Sequence, residues 1–95
     1  MLNNFWNYIV EFIGTLIFMY VIIANGEAIP IGLTLAVAIY FGGKISGGAF
    51  NPAASTMFYY QDKIDFTQFC GYIVVQLVAA LCAYYFYTNY SYLYN

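Results

Sequence analysis

The sequence predicts an all-α membrane protein built from three membrane-spanning helices and one re-entrant half-helix. Three observations carry that prediction. The chain of 95 residues is 64% hydrophobic and holds two basic and four acidic residues, too few charges to keep a small soluble domain dispersed. Its apolar runs approach the roughly 20 residues needed to cross a bilayer core of ~30 Å. One polar stretch interrupts them, Ser46-Gly47-Gly48-Ala49-Phe50-Asn51-Pro52-Ala53-Ala54-Ser55. Membrane depth tolerates such a backbone only where protein buries it or where it lines a watery cavity.

Met1 to Asn4 reads as a short polar lead, and the first span runs from about Phe5 to Ala24. It has no basic leader and no small-residue cleavage site, so it reads as retained. Phe5, Trp6 and Tyr8 suit a membrane interface. Glu11 lies about 9 Å along this helix, with Thr15 one turn later on the same face. Glu11 either reaches the headgroups, or is protonated, or accepts backbone N–H bonds from the broken loop. The last reading is preferred, because the loop needs partners and no other span holds an acid. Asn25-Gly26-Glu27 is a turn, and Pro30 fits the start of the second span, 28–43. Gly32 and Ala36 share the spacing that lets helices approach closely in lipid, and Thr34 bonds back to its own helix.

At the interruption, Gly47-Gly48 permits an extended backbone with open carbonyls. Asn51 caps a helix whose first turn begins with Pro52. From Pro52 to about Gln61 that helix is ~15 Å long, half the hydrocarbon thickness, so a re-entrant element is placed at about 46–61. Ile64-Asp65 makes the turn, and the third span covers about 66–87. Gln76 sits near its middle, placed either to bond a neighbouring helix or to brace the loop. The tyrosine-dense stretch 84–94 suits an interface. Asn89-Tyr90-Ser91 matches a glycosylation acceptor too near the membrane to be used.

The composition also excludes several functions. The net charge of −2 gives no basic field for nucleic acid. Cys70 and Cys82 have no ligand set around them and read as buried reduced thiols. No nucleophile–base pair, metal cluster or cofactor motif occurs, so an enzyme is not expected.

Four stretches together resemble one family. They are Glu11-Phe12-Ile13-Gly14-Thr15, Ile31-Gly32-Leu33-Thr34-Leu35-Ala36-Val37, Ser46 through Ser55, and Tyr72-Ile73-Val74-Val75-Gln76-Leu77. In this order and at these separations they are similar to the major intrinsic proteins, the aquaporins and glycerol facilitators. The resemblance implies a fold of two inverted three-helix repeats, each with an Asn-Pro-Ala half-helix, meeting at mid-membrane. Here only one repeat is present. Its 30–46 and 65–69 segments look like the family's second half, and Gln76 and its neighbours look like the first. A chain mixing both signatures is expected to pair as an inverted homodimer across a two-fold axis in the membrane plane, with a tetramer of dimers as a further possibility. Lys44, Lys63 and the N-terminus share one face. The positive-inside rule puts that face in the cytoplasm, with a bias slight enough to allow dual insertion.

The resemblance implies a passive channel for water and small neutral solutes such as glycerol. Its pore motif comprises Gly47, Gly48, Ala49, Asn51, Pro52 and Ala53, supported by Glu11, Thr15 and Gln76. Aligned with the family's filter, the constriction falls on Ile31, Ile39, Gly48 and Ala54. Ala54 stands where the second-repeat string reads Asn-Pro-Ala-Arg, and Ala49 where the first repeat usually has His. Such a ring has neither cation nor aromatic residue, which implies a wider, less polar opening and weaker proton exclusion. The rival readings are a non-conducting structural or assembly protein and a half-channel that pairs with a different half. An ion channel is disfavoured, because no acidic ring or threonine-rich carbonyl filter occurs.

Overall fold

A computed structural model describes residues 2–95, with side chains from Asn4 onward. Met1, part of the expected polar lead, lies outside the described residues. The elements are α1 (Leu2–Ala24), α2 (Ala28–Ser46), α3 (Pro52–Tyr60), α4 (Phe66–Tyr90) and a closing 3-10 turn (Ser91–Leu93). No strand occurs among the described residues. Three stretches are long and apolar enough to cross a membrane: Asn4–Ala24, Ala28–Ser46 and Phe66–Leu93. With nine residues, α3 is too short to do so.

The packing order follows from where small and polar residues fall. Helix α1 lies between α2 and α4 and packs on both, α3 packs on α4, and α2 packs chiefly on α1. The inward stripe of α4 is Tyr72, Gln76, Ala79 and Ala83, all buried, at the three- and four-residue spacing of one helix face. Large apolar side chains point outward instead, among them Ile13, Ile17, Leu33, Val37, Phe41, Val74 and Leu81. That inverts the pattern of a water-soluble bundle and suits a lipid surround.

Several boundaries differ from the expectation. The first helix begins at Leu2 rather than near Phe5, since nothing in Leu2-Asn3-Asn4 breaks it. Helix α2 continues past Gly43 to Ser46 and stops at Gly47, which takes the left-handed conformation at φ 90° and donates its N–H to Gly43 O at 2.9 Å. Glycine meets that conformation without a Cβ penalty, and Lys44 in the last turn complements the negative helix end. Gly48 is also at positive φ, 75°, so the Gly47-Gly48 pair is not extended. It turns the chain back sharply because the helix must be terminated there. Helix α4 outlasts residue 87 because no Gly or Pro follows it before Tyr90.

The cysteines also depart from expectation. Cys70 is exposed and Cys82 half-buried, both as free thiols. Cys70 precedes Tyr72 by two positions, about 200° around the helix from the inward stripe.

The turn from α3 to α4 is tied by backbone bonds from Asp62 N to Tyr59 O and from Lys63 N to Phe58 O. Asp65 then opens α4 with a capping box, its carboxylate accepting the Gln68 N–H at 2.8 Å while Gln68 Oε1 accepts the Asp65 N–H at 3.1 Å. Asp65→Ala removes the carboxylate half of that exchange and leaves the Gln68 N–H without its cap. The expected cost is about 1 kcal/mol, read as a lower midpoint in detergent-solubilised thermal unfolding.

Candidate functional site

The loop 47–51 carries its polar backbone into the interior, and the first question is where those groups find partners. Glu11 answers most of it. Its Oε2 accepts from Ser46 Oγ–H at 2.6 Å and from Ala49 N–H at 3.1 Å. Its Oε1 accepts from Phe50 N–H at 2.7 Å and from Gln76 Nε2 at 2.8 Å. Glu11 is 0% exposed, so the carboxyl is satisfied entirely by protein donors, as a buried polar group must be. It does not reach toward the headgroups.

The remaining bonds extend that hub. Gln76 Nε2 also donates to Ser55 Oγ at 2.7 Å, so one amide joins α4 to both α1 and α3. Ser46 Oγ accepts from Gly48 N–H at 3.1 Å, and Tyr72 Oη–H donates to Ser46 O at 2.6 Å. Ser55 Oγ–H donates to Asn51 O at 3.0 Å. Thr15 is buried beside this network, but its Oγ1 has no partner, nor has Gln76 Oε1. Thr15 therefore makes no hydrogen bond to the loop.

Phe50 anchors the loop sterically. It is fully buried at φ 57°, a conformation uncommon for non-glycine residues. Its ring sits where a Cβ on Gly14 or on Gly42 would fall, 2.2 Å from Cε1 and 3.2 Å from Cζ respectively. Because Glu11 and Gly14 lie near the midpoint of α1 and Gln76 near that of α4, the loop is held halfway along the long helices.

From that level α3 starts back toward the end it came from. Asn51 Oδ1 accepts the Ala54 N–H at 2.8 Å, and Pro52 occupies the first turn. Asn51 Nδ2 donates to Ala49 O at a long 3.4 Å. The half-buried Asn51 amide is thus fixed at both ends and keeps an N–H for a further acceptor. Gly47 and Ala53 are exposed, Pro52 is half-buried, and Gly48 and Ala49 are buried.

The four residues expected at a constriction, Ile31, Ile39, Gly48 and Ala54, do not form a ring within one chain. Ile39 lies against Gly48, whose Cβ position is 3.3 Å from Ile39 Cγ1. Ile31 is half-buried about two turns away on α2. Ala54 packs with Ala49, Ile64 and Tyr72, and the backbones of α2 and α3 do not approach one another closely.

Sequence reasoning did not single out the side chains of Ser46, Phe50, Ser55 and Tyr72 as parts of the site. A signal for Tyr72 was available, since it stands four residues before Gln76 on one helical face. Lone glycines inside helices, Gly14 and Gly42, marked the seat of a bulky ring.

Comparison with known proteins adds the following. The major intrinsic protein pattern matches residues 23–92. The chain is 39% identical over 85 residues to "Glycerol uptake facilitator protein-like 6" of Lactiplantibacillus plantarum, covering 80% of this chain and 39% of that protein. It is 34% identical over 92 residues to "Aquaporin PIP2-7" of Arabidopsis thaliana, covering 78% of this chain and 32% of the relative. With "Aquaporin NIP3-1" of the same plant it shares 43% identity over 58 residues, covering 61% of this chain and 18% of the relative. The chain thus spans between about a fifth and two fifths of these relatives. No solved structure matches it. A pattern covering most of the chain, on three helices able to cross a bilayer, makes this an integral membrane protein of the major intrinsic protein family.

Proposed function

We propose that the chain forms a passive membrane channel for water and small neutral solutes such as glycerol, with each pore built from two inverted copies. The observation that carries this reading is the Asn51-capped half-helix, held by Glu11 at mid-height with Ala53, Thr56 and Met57 exposed along it. A second copy, inverted about an axis in the membrane plane, would bring its own Asn51 against the first and cover that exposed face. Parallel copies would not, since both half-helices would descend from one face.

A permeating water molecule gives up bulk hydrogen bonds and needs replacements. The Asn51 amides supply donors, loop carbonyls supply acceptors, and the apolar α2 wall offers no competing site. The two positive helix ends oppose cations at the centre. Ile31, Ile39, Gly48 and Ala54 contribute to constrictions assembled from both copies. Lacking Arg and His, these pass glycerol-sized solutes. Glycerol uptake facilitator protein-like 6 and the aquaporins carry permeants in their names, which supports the class of solute.

Vesicles reconstituted with the chain alone are expected to shrink in an osmotic gradient well above the rate of empty vesicles and to admit glycerol. Ala49→Trp, placed on the loop beside Asn51, is expected to cut water flux at least tenfold. Equal flux from both chains would favour a non-conducting scaffold, and no flux from the unmodified chain would favour a half-channel needing a different partner. Orientation is tested separately. In a chain whose native cysteines are replaced by Ser, Asn25→Cys and Gln61→Cys lie at opposite ends of the bundle. Labelling of both from one side of sealed vesicles supports dual insertion, and labelling of one alone overturns it.

A further inference from the structure

At the end of the bundle where the loop begins, the two lysines of this chain meet a common polar recess. Helix α2 brings Lys44 to the end of the bundle where α1 begins, and the α3–α4 turn brings Lys63 to the same end. Lys44 lines a cavity of about 700 Å³ with Asn4, Trp6, Asn7, Ile45 and Gln68. Lys63 lines an adjoining cavity of about 200 Å³ that shares Asn7, Ile45 and Gln68 and reaches Ser46 and Gly47 at the start of the loop. Neither lysine has a carboxylate partner among the described residues, although Lys63 Nζ stands 5.1 Å from the Phe58 ring centroid.

Charge and polarity at this recess favour an anion. Asp62 and Asp65 lie at the same end of the bundle but line neither cavity, and Asp65 is engaged in capping α4. Asn4 and Gln68 are joined by a 3.1 Å bond from Gln68 Nε2 to Asn4 Oδ1, which leaves the Asn4 amide N–H groups as donors. The rim is apolar: Trp6 is 56% exposed and Ile45 48%. A ligand that satisfies both parts carries a phosphate group and hydrocarbon together. The position is the interfacial end of three apolar helices, where a lipid presents that combination.

We propose that this recess binds the phosphate headgroup of an anionic phospholipid, with Lys44 and Lys63 as its cationic partners and Trp6 beside its upper acyl region. The assignment does not depend on conduction. Trp6 is the single tryptophan of the chain, so its fluorescence reports occupancy directly.

The full chain in neutral detergent is titrated at low ionic strength with short-chain phosphatidylglycerol, phosphatidylcholine and inorganic phosphate. Phosphatidylglycerol is expected to shift Trp6 emission at a concentration at least tenfold below phosphatidylcholine, and inorganic phosphate is expected neither to shift it nor to displace the lipid. Lys44→Gln should weaken phosphatidylglycerol about fivefold, and Lys44→Gln with Lys63→Gln about twentyfold, the contribution of one lysine at an anionic surface taken twice. Lys44→Arg should retain binding. Equal response to the two lipids in the unmodified chain overturns the proposal, whatever the variants do. So does a folded double variant that binds as before, or inorganic phosphate that competes at the lipid's own concentration.

Discussion

Glu11→Ala is expected to lower stability by more than about 3 kcal/mol and to bring water flux down to that of empty vesicles. The substitution strands the N–H groups of Ala49 and Phe50, the Ser46 hydroxyl and one Gln76 amide bond at once. Each buried donor left unsatisfied costs about 1–3 kcal/mol; Ser46 Oγ keeps only a long 3.5 Å bond to Gly42 O and Gln76 Nε2 its bond to Ser55 Oγ. Glu11→Gln keeps an acceptor oxygen but turns an NH2 toward donors, so an intermediate loss is expected. Thermal unfolding in detergent measures the first quantity and stopped-flow light scattering the second. An alanine variant that melts within about 0.5 kcal/mol of the parent would show that the loop is held by something else.

The second large effect concerns space rather than charge. Gly14→Ala puts a methyl group 2.2 Å from Phe50 Cε1, so the buried ring must move and draw the loop with it. Overpacking of this kind costs about 1–3 kcal/mol. The same substitution at Gly32 meets nothing within 4 Å and gains the helix preference of Ala over Gly, about 1 kcal/mol. Identical chemistry should therefore shift the two variants in opposite directions, separated by about 2–4 kcal/mol in unfolding free energy. Trimming the ring with Phe50→Leu should recover part of the Gly14→Ala loss, read as a non-additive double-mutant cycle. If Gly14→Ala and Gly32→Ala behave alike, Phe50 is not the wedge that sets the loop's position.

Some of this was legible in the residues and some was not, for physical reasons. Long apolar runs announce helices able to cross a bilayer, and Asn51-Pro52 announces a capped start, because both signals are local. Glu11 could be singled out because a lone acid in an apolar span needs donors and the broken loop needs acceptors. The stop of α2 was misjudged because Gly42 and Gly43 look like breakers, whereas Gly42 is a seat for Phe50 and only Gly47 takes the left-handed cap. Burial of Cys70 was misjudged because apolar sequence does not reveal which side of α4 faces inward when both sides are greasy. Ser46, Ser55 and Tyr72 join the site through contacts across 21 to 35 residues, and no short window contains such pairs.

The reach of the Glu11 bonds also governs how the chain can be made. Its partners lie 35, 38, 39 and 65 residues downstream, so on a ribosome the acid emerges long before anything that can receive it. An acid in mid-helix is costly in hydrocarbon, and the nascent α1 must therefore wait in a partly wet or shielded setting. Only when Gln76 has been translated and inserted can the final bond close, so the carboxyl completes its set of donors late in the assembly of the helices.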